Sequence, residues 1–236
     1  MDQLIAGARN LLQLNLTPAQ VEAFHQYAEL LAEWNQKFNL TAITDSHGLQ
    51  VKHFLDSLSV LLVLRCAPDA RLVDVGTGAG FPGIPLKIVC PRLRLTLVES
   101  SRKKAGFCRS ASEALGLRDM RVVNARAEGA GQDPAHREQY DWAVARAVAQ
   151  MPVLLEYLLP LVKVGGHALA MKGEDAPSET QAAARALEVL GGRLNKLTPV
   201  ELPGVAETRY LVVCDKVART DAKYPRRPGM PLKRPL

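Results

Sequence analysis

From Pro68 onwards, short apolar runs alternate with amphipathic stretches, and that alternation leaves very few folds open. The strand-like runs are 72–75, 93–98, 121–124, 142–145, 167–171 and 210–214, with a weaker one at 193–200. Helical stretches at 103–115, 151–162 and 178–190 separate most of them. This spacing predicts an α/β, Rossmann-like domain: a mostly parallel seven-stranded sheet with helices on both faces. The connection over 199–208 has no helical pattern, so the last two strands are expected as a C-terminal antiparallel hairpin.

Before Pro68 the chain reads as helical. Thr17-Pro18-Ala19-Gln20 combines an N-cap Thr, a Pro at the first helical position and a Gln able to close a capping box. Val21, Phe24, Ala28, Leu31 and Trp34 follow at helical spacing. A second helical stretch covers about 48–64, with Val51, Phe54, Leu55 and Leu58 in its apolar stripe. The expected organisation is a helical N-terminal lobe over 1–67, an α/β domain over 68–215 and a basic, Pro-rich tail over 216–236.

The formal net charge of +6 has a location. Seven basic residues and one acidic residue fall between Lys216 and Leu236, which leaves 23 of each sign in the rest of the chain. A neutral body with a cationic arm points to a phosphate-bearing partner such as nucleic acid. No apolar run is long enough to span a bilayer. Nothing at the N-terminus reads as a signal peptide. Cys66, Cys90, Cys108 and Cys214 show no CxxC spacing, so a reduced, cytoplasmic setting without a metal site is expected.

The run 72–75 leads directly into Gly76-Thr77-Gly78-Ala79-Gly80-Phe81-Pro82-Gly83. Glycines after a first strand permit a tight turn and let a ligand approach the backbone. Glu99, at the end of the second strand, stands where an acid holds ribose hydroxyls. A dinucleotide is disfavoured, because Pro82 and Pro85 each remove an amide that a pyrophosphate would use. Asp74 would repel a pyrophosphate and attract a cation. S-adenosyl-L-methionine carries a sulfonium and an ammonium and no phosphate, so Asp74, Gly76, Gly78 and Glu99 are expected around that cofactor.

Several segments resemble the GidB (RsmG) family of small-subunit rRNA guanine-N7 methyltransferases. They are Trp34-Asn35 with Asn39-Leu40-Thr41, Lys52-His53-Phe54-Leu55-Asp56-Ser57-Leu58, and Asp74 through Leu86. Further matches are Arg126-Ala127-Glu128, Arg146-Ala147, Lys172-Gly173, Arg209-Tyr210-Leu211 and Tyr224-Pro225-Arg226-Arg227-Pro228-Gly229. The resemblance covers about Leu30 to the C-terminus. It implies a class I methyltransferase fold using S-adenosyl-L-methionine, with cofactor contacts from Gly76, Phe81, Ala127, Glu128 and Arg146. It implies as substrate one guanine of 16S rRNA in the small ribosomal subunit, methylated at N7. Separately, nothing in the sequence suggests an obligate dimer, so a monomer is expected. Glu99 stands where relatives usually carry Asp.

Guanine N7 has a lone pair and no proton, so methyl transfer to it needs no general base. Catalysis then rests on placement and electrostatics. An Arg forked onto O6 and N7 would block the reacting atom. A single donor to O6 would not, and Lys172 at a strand end is expected to supply it. Arg146 and Arg209, also at strand ends, are expected to position cofactor or substrate. Asn39 and His53 lie in the helical lobe as a base-contacting or a structural pair, with Asp56 on the same helix face orienting His53. Arg102, Lys103 and Lys104 open a helix and oppose its dipole, which suits an end facing RNA phosphate. Arg226 and Arg227 in the tail are expected to bind RNA, although the tail could instead fold back with Tyr224 as anchor. The competing readings are a nicotinamide oxidoreductase, a non-catalytic RNA-binding protein and a small-molecule methyltransferase.

Overall fold

The computed structural model describes residues 1–65 and 67–236. The helical lobe begins with α1 (Asp2–Leu12) and α2 (Pro18–Phe38). The capping box forms at Thr17: its Oγ1 accepts from the Gln20 amide at 3.2 Å, and Gln20 accepts from the Thr17 amide at 2.9 Å. A helical segment then runs through α3 (Ser46–Gly48), a π-helical stretch (Leu49–Leu55), α4 (Asp56–Leu58) and a 3₁₀ turn (Ser59–Leu62). The expected stripe is buried at Val51, Phe54, Leu55 and Leu58, whereas Leu62 is exposed.

The α/β part follows as β1 (Arg71–Val75), α5 (Gly83–Val89), β2 (Arg94–Val98), α6 (Arg102–Ala114), β3 (Met120–Val123), α7 (Ala127–Gln132), β4 (Tyr140–Arg146) and α8 (Met151–Leu158). It ends with β5 (Val162–Lys172), α9 (Ala176–Ala182), α10 (Ala184–Leu190), β6 (Gly192–Val200), β7 (Arg209–Lys216) and α11 (Met230–Lys233). The seven strands lie in the order 3-2-1-4-5-7-6. Strands 1 to 5 are parallel, and β7 is antiparallel to both β5 and β6. The sheet and its hairpin therefore match the sequence reading, including the weak run at 193–200. The expected helix at 178–190 is two short helices. The chain order reverses between β1 and β4, which makes the carboxyl ends of those strands the ligand crevice.

Alternation along β1 feeds two cores. Leu72 joins the core under the N-terminal helices, and Val73 and Val75 join the core under α8 and α10. Phe24, Tyr27 and Phe54 are fully buried on the first face and pack ring against ring. Burying each such ring contributes roughly 1.5–3 kcal/mol. The lobe thus shares its core with the sheet.

The tail lies along the α/β domain. Arg137 donates to the carbonyls of Thr220 at 2.7 Å and of Tyr224. Cys108 and Cys214 are buried free thiols. Cys90 is disulfide-bonded, which departs from the expectation of four reduced cysteines. Cys66 lies outside the described residues. Among the described residues no helix is long and apolar enough to cross a membrane, and no cluster of potential metal ligands occurs.

Candidate active site

β1 delivers Asp74 to the crevice, fully buried. Its Oδ2 accepts from Thr77 Oγ1 at 2.6 Å and from the Gly83 amide at 2.8 Å, so one carboxylate ties both ends of the glycine loop. Its Oδ1 is buried with no hydrogen-bond partner among the described residues. Burial pushes this carboxyl up to about 7. A buried acceptor left unpaired is costly, and a cationic ligand group would relieve that cost. Glu99 accepts from the Gly78 amide at 2.9 Å and from the Ser101 amide at 2.7 Å. Each of its oxygens keeps a second lone pair for a hydroxyl donor.

Gly76 and Gly78 have φ of +70° and +61°. A Cβ at Gly76 would stand 2.7 Å from Val148, whereas one at Gly78 would meet nothing within 4 Å. Gly78 therefore backs onto open space where a ligand can lie against the main chain. Beside it a cavity of about 170 Å³ is lined by Gly76, Val98, Ala127, Glu128, Tyr157 and Leu232. The orphan oxygen of Asp74, the acceptors of Glu99 and this mainly apolar slot fit the ammonium, ribose and base of S-adenosyl-L-methionine.

Arg146 ends β4 and lines a second cavity of about 340 Å³ together with Lys52, His53, Asp56, Lys172 and Arg209. Its guanidinium donates to Asp56 Oδ2 at 2.8 Å, to the Lys52 carbonyl at 3.0 Å and to His53 Nδ1 at 3.1 Å. A guanidinium only donates, so His53 Nδ1 accepts. Nε2 then carries the proton and donates to Thr41 Oγ1 at 2.7 Å. Burial and the adjacent guanidinium push His53 down to about 4, which keeps it neutral at pH 7. The expectation that Asp56 orients His53 is corrected: Asp56 pairs with Arg146. Phe81 stacks on His53 with ring centroids 4.6 Å apart and lies under the Arg146 guanidinium. Phe81 is among the residues lining neither cavity.

Lys172 lines the larger cavity and pairs with Glu179 Oε2 at 2.6 Å while donating to the Ala149 carbonyl at 2.9 Å. Arg209 lines it with no hydrogen bond or ion pair among the described residues. Asn39 is elsewhere: it is exposed and ends α2 in a left-handed conformation, φ +46°. Asn tolerates that conformation better than most residues. Asn35 does the local bonding, with both its amide groups on the Thr41 backbone. Asn39 thus ends the helix and leaves its side chain exposed, apart from His53 in the larger cavity.

The family model for rRNA small subunit methyltransferase G (GidB) matches residues 20–204. The chain belongs to that family. Ribosomal RNA small subunit methyltransferase G of Roseiflexus sp. (strain RS-1) is 52% identical over 236 residues, covering all of both chains. The protein of that name from Alkaliphilus metalliredigens is 47% identical over 225 residues, 95% of this chain and 94% of the relative. In fold, the chain resembles a SAM dependent methyltransferase from Aquifex aeolicus with a TM-score of 0.56 and 18% identity. That match covers 76% of this chain and 97% of the other.

The residues expected at RNA divide. Arg102, Lys103 and Lys104 open α6 behind the Ser101 cap, with Arg102 and Lys103 exposed. Arg227 is exposed as well. Arg226 is not free for RNA. It forks onto Glu156, which is fully buried, with NH2 to Oε2 at 2.6 Å and Nε to Oε1 at 2.9 Å. Glu128 accepts from the Gly229 amide at 2.9 Å. The cationic arm is thus folded onto the domain. Sequence reading missed Tyr27, whose hydroxyl donates to the Ala79 carbonyl and props the glycine loop. Its place on the apolar stripe of α2, three residues after Phe24, was the available signal. Glu179 and Leu232 left no such signal.

Proposed function

We propose that the chain transfers a methyl group from S-adenosyl-L-methionine to N7 of a guanine in 16S rRNA of the small ribosomal subunit. The observation that carries this reading is a pair of cavities lined by successive residues after β4, Ala147 in the larger and Val148 in the smaller, joined to family membership across the chain. Asp74, Gly76, Gly78, Glu99, Ala127 and Glu128 would hold the cofactor, which supplies an electrophilic methyl group. The larger cavity would take the base.

The chain's own residues suit an N7 acceptor. Arg146 is held by three partners, so it cannot swing out to fork onto O6 and N7 and block the reacting atom. Lys172 Nζ has two partners and a third N–H to give. That is the single-point donor that O6 needs. Methylation at N7 makes the base cationic. Asp56, Asp175 and Glu179 line the same cavity as Lys52, Arg146, Lys172 and Arg209, and so temper the positive field. His53, neutral and stacked on Phe81, adds no further charge. Arg209, Arg102, Lys103 and Arg227 supply unpaired cations for phosphate. The chain would act as a monomer in the cytoplasm, where the subunit is.

The test is transfer of labelled methyl from S-adenosyl-L-methionine to unmodified small subunits, protein-free 16S rRNA and tRNA in parallel, with the base identified after digestion. Label on one N7-methylguanine of 16S rRNA is expected. Label on tRNA alone, or on no RNA, would overturn the reading.

A further inference from the structure

We infer that the C-terminal arm is the outer wall of the nucleoside slot, with Leu232 as the side chain that closes it over the adenine of the cofactor. This rests on the cofactor reading above and extends it to a segment whose charge had suggested RNA. Leu232 is 59% exposed, the highest value among the exposed large hydrophobic side chains. It lines the slot together with Gly76, Ala127 and Glu128. An apolar side chain so exposed gains nothing from its own fold, but gains on covering an apolar ligand face.

The arm is held firmly enough to serve as a wall. Arg137 fixes its start through the carbonyls of Thr220 and Tyr224. Glu156 fixes its middle through a forked pair with Arg226 and a bond from the Arg226 amide at 2.8 Å. Glu128 fixes the turn before Leu232 through the Gly229 amide. A fully buried carboxylate such as Glu156 needs excellent geometry to offset its desolvation. Here that geometry sets the position of the turn carrying Leu232. Glu128, on the floor of the slot, bonds directly to the same turn. Arg226 is accordingly a positioning residue that never touches the cofactor.

Calorimetric titration of the full chain with S-adenosyl-L-homocysteine and with adenosine tests this. Leu232→Ala should weaken both about tenfold, or about 1.4 kcal/mol, because both carry the adenine. Leu232→Met should bind like wild type, and Tm should not move, since an exposed side chain contributes little to stability. Arg226→Ala should weaken S-adenosyl-L-homocysteine binding also, and Arg226→Lys should restore it only in part because the fork is lost. Unchanged affinity in Leu232→Ala would overturn the inference while leaving the cofactor reading intact. A wild-type chain that binds neither ligand would overturn both.

Discussion

The two ends of the crevice are built by opposite means. At the proposed cofactor end the glycine loop, a single ten-residue stretch from Asp74 to Gly83, presents main chain, with the Asp74 side chain clamping both ends of the loop. The base end is made of side chains that converge from remote segments. Lys52, His53, Arg146, Lys172 and Arg209 meet in one cavity. A backbone site tolerates side-chain change but not added bulk. A side-chain site tolerates bulk but depends on each partner holding the next.

Four experiments press on that contrast. The largest effect is expected from Arg146→Ala. It strips Asp56 of its partner, and both side chains are mostly buried, at 15% and 10% exposure. Unfolding free energy should fall by about 2–4 kcal/mol, and single-turnover methyl transfer by ~100-fold or more as the base end loosens. Full activity in this variant would end the claim that the base end hangs on one guanidinium. Next comes Gly78→Ala. Its Cβ meets no protein atom, so stability should drop only by the left-handed strain of about 1–2 kcal/mol. S-adenosyl-L-homocysteine, filling the space in front, should bind ~10–100-fold more weakly. Equal affinity would show that the ligand does not lie there.

Arg209→Ala should weaken rRNA binding about tenfold in filter assays, with Tm unchanged because the side chain has no partner among the described residues to abandon. A fall in Tm with unaltered RNA affinity would make Arg209 structural. The smallest effect is a slope. Asp74 is raised to about 7, so between pH 4 and 7 the folded chain binds a proton the unfolded chain lacks, and stability falls as pH rises. His53 is lowered to about 4, so between pH 4 and 6.5 the unfolded chain binds the extra proton, and stability rises with pH. The two contributions oppose each other in the wild type. Asp74→Asn should tilt the stability–pH curve upward with pH by about 1.4 kcal/mol per unit relative to wild type, and His53→Gln downward. Parallel curves for all three proteins would contradict both shifts.

The same contrast explains what could be read from sequence. The sheet, its order-reversing crevice and the glycine loop are local patterns of apolar period and turn residues, and all were legible. The roles expected of Asp74, Gly76, Gly78 and Glu99 were drawn from one contiguous segment and the strand after it. Asp56 was legible as a neighbour of His53 but not as the partner of Arg146, ninety residues away. Asn39 resembled a functional residue, and its position at the end of α2 is a matter of backbone geometry. Arg226 was read by charge, and only the fold reveals the buried acid that claims it. Helices α5 and α7 are too short for their period to stand out.

The Glu156–Arg226 pair also orders events in time. The two residues are seventy positions apart, and the acid is synthesised first. A nascent chain that has made α8 but not yet Arg226 holds a carboxylate with no cation to accompany it inside. Sealing the second core at that stage would either bury a lone charge or force the acid to take up a proton, and both are costly. Closure of this half of the molecule is therefore expected to be least favourable before Arg226 is in place.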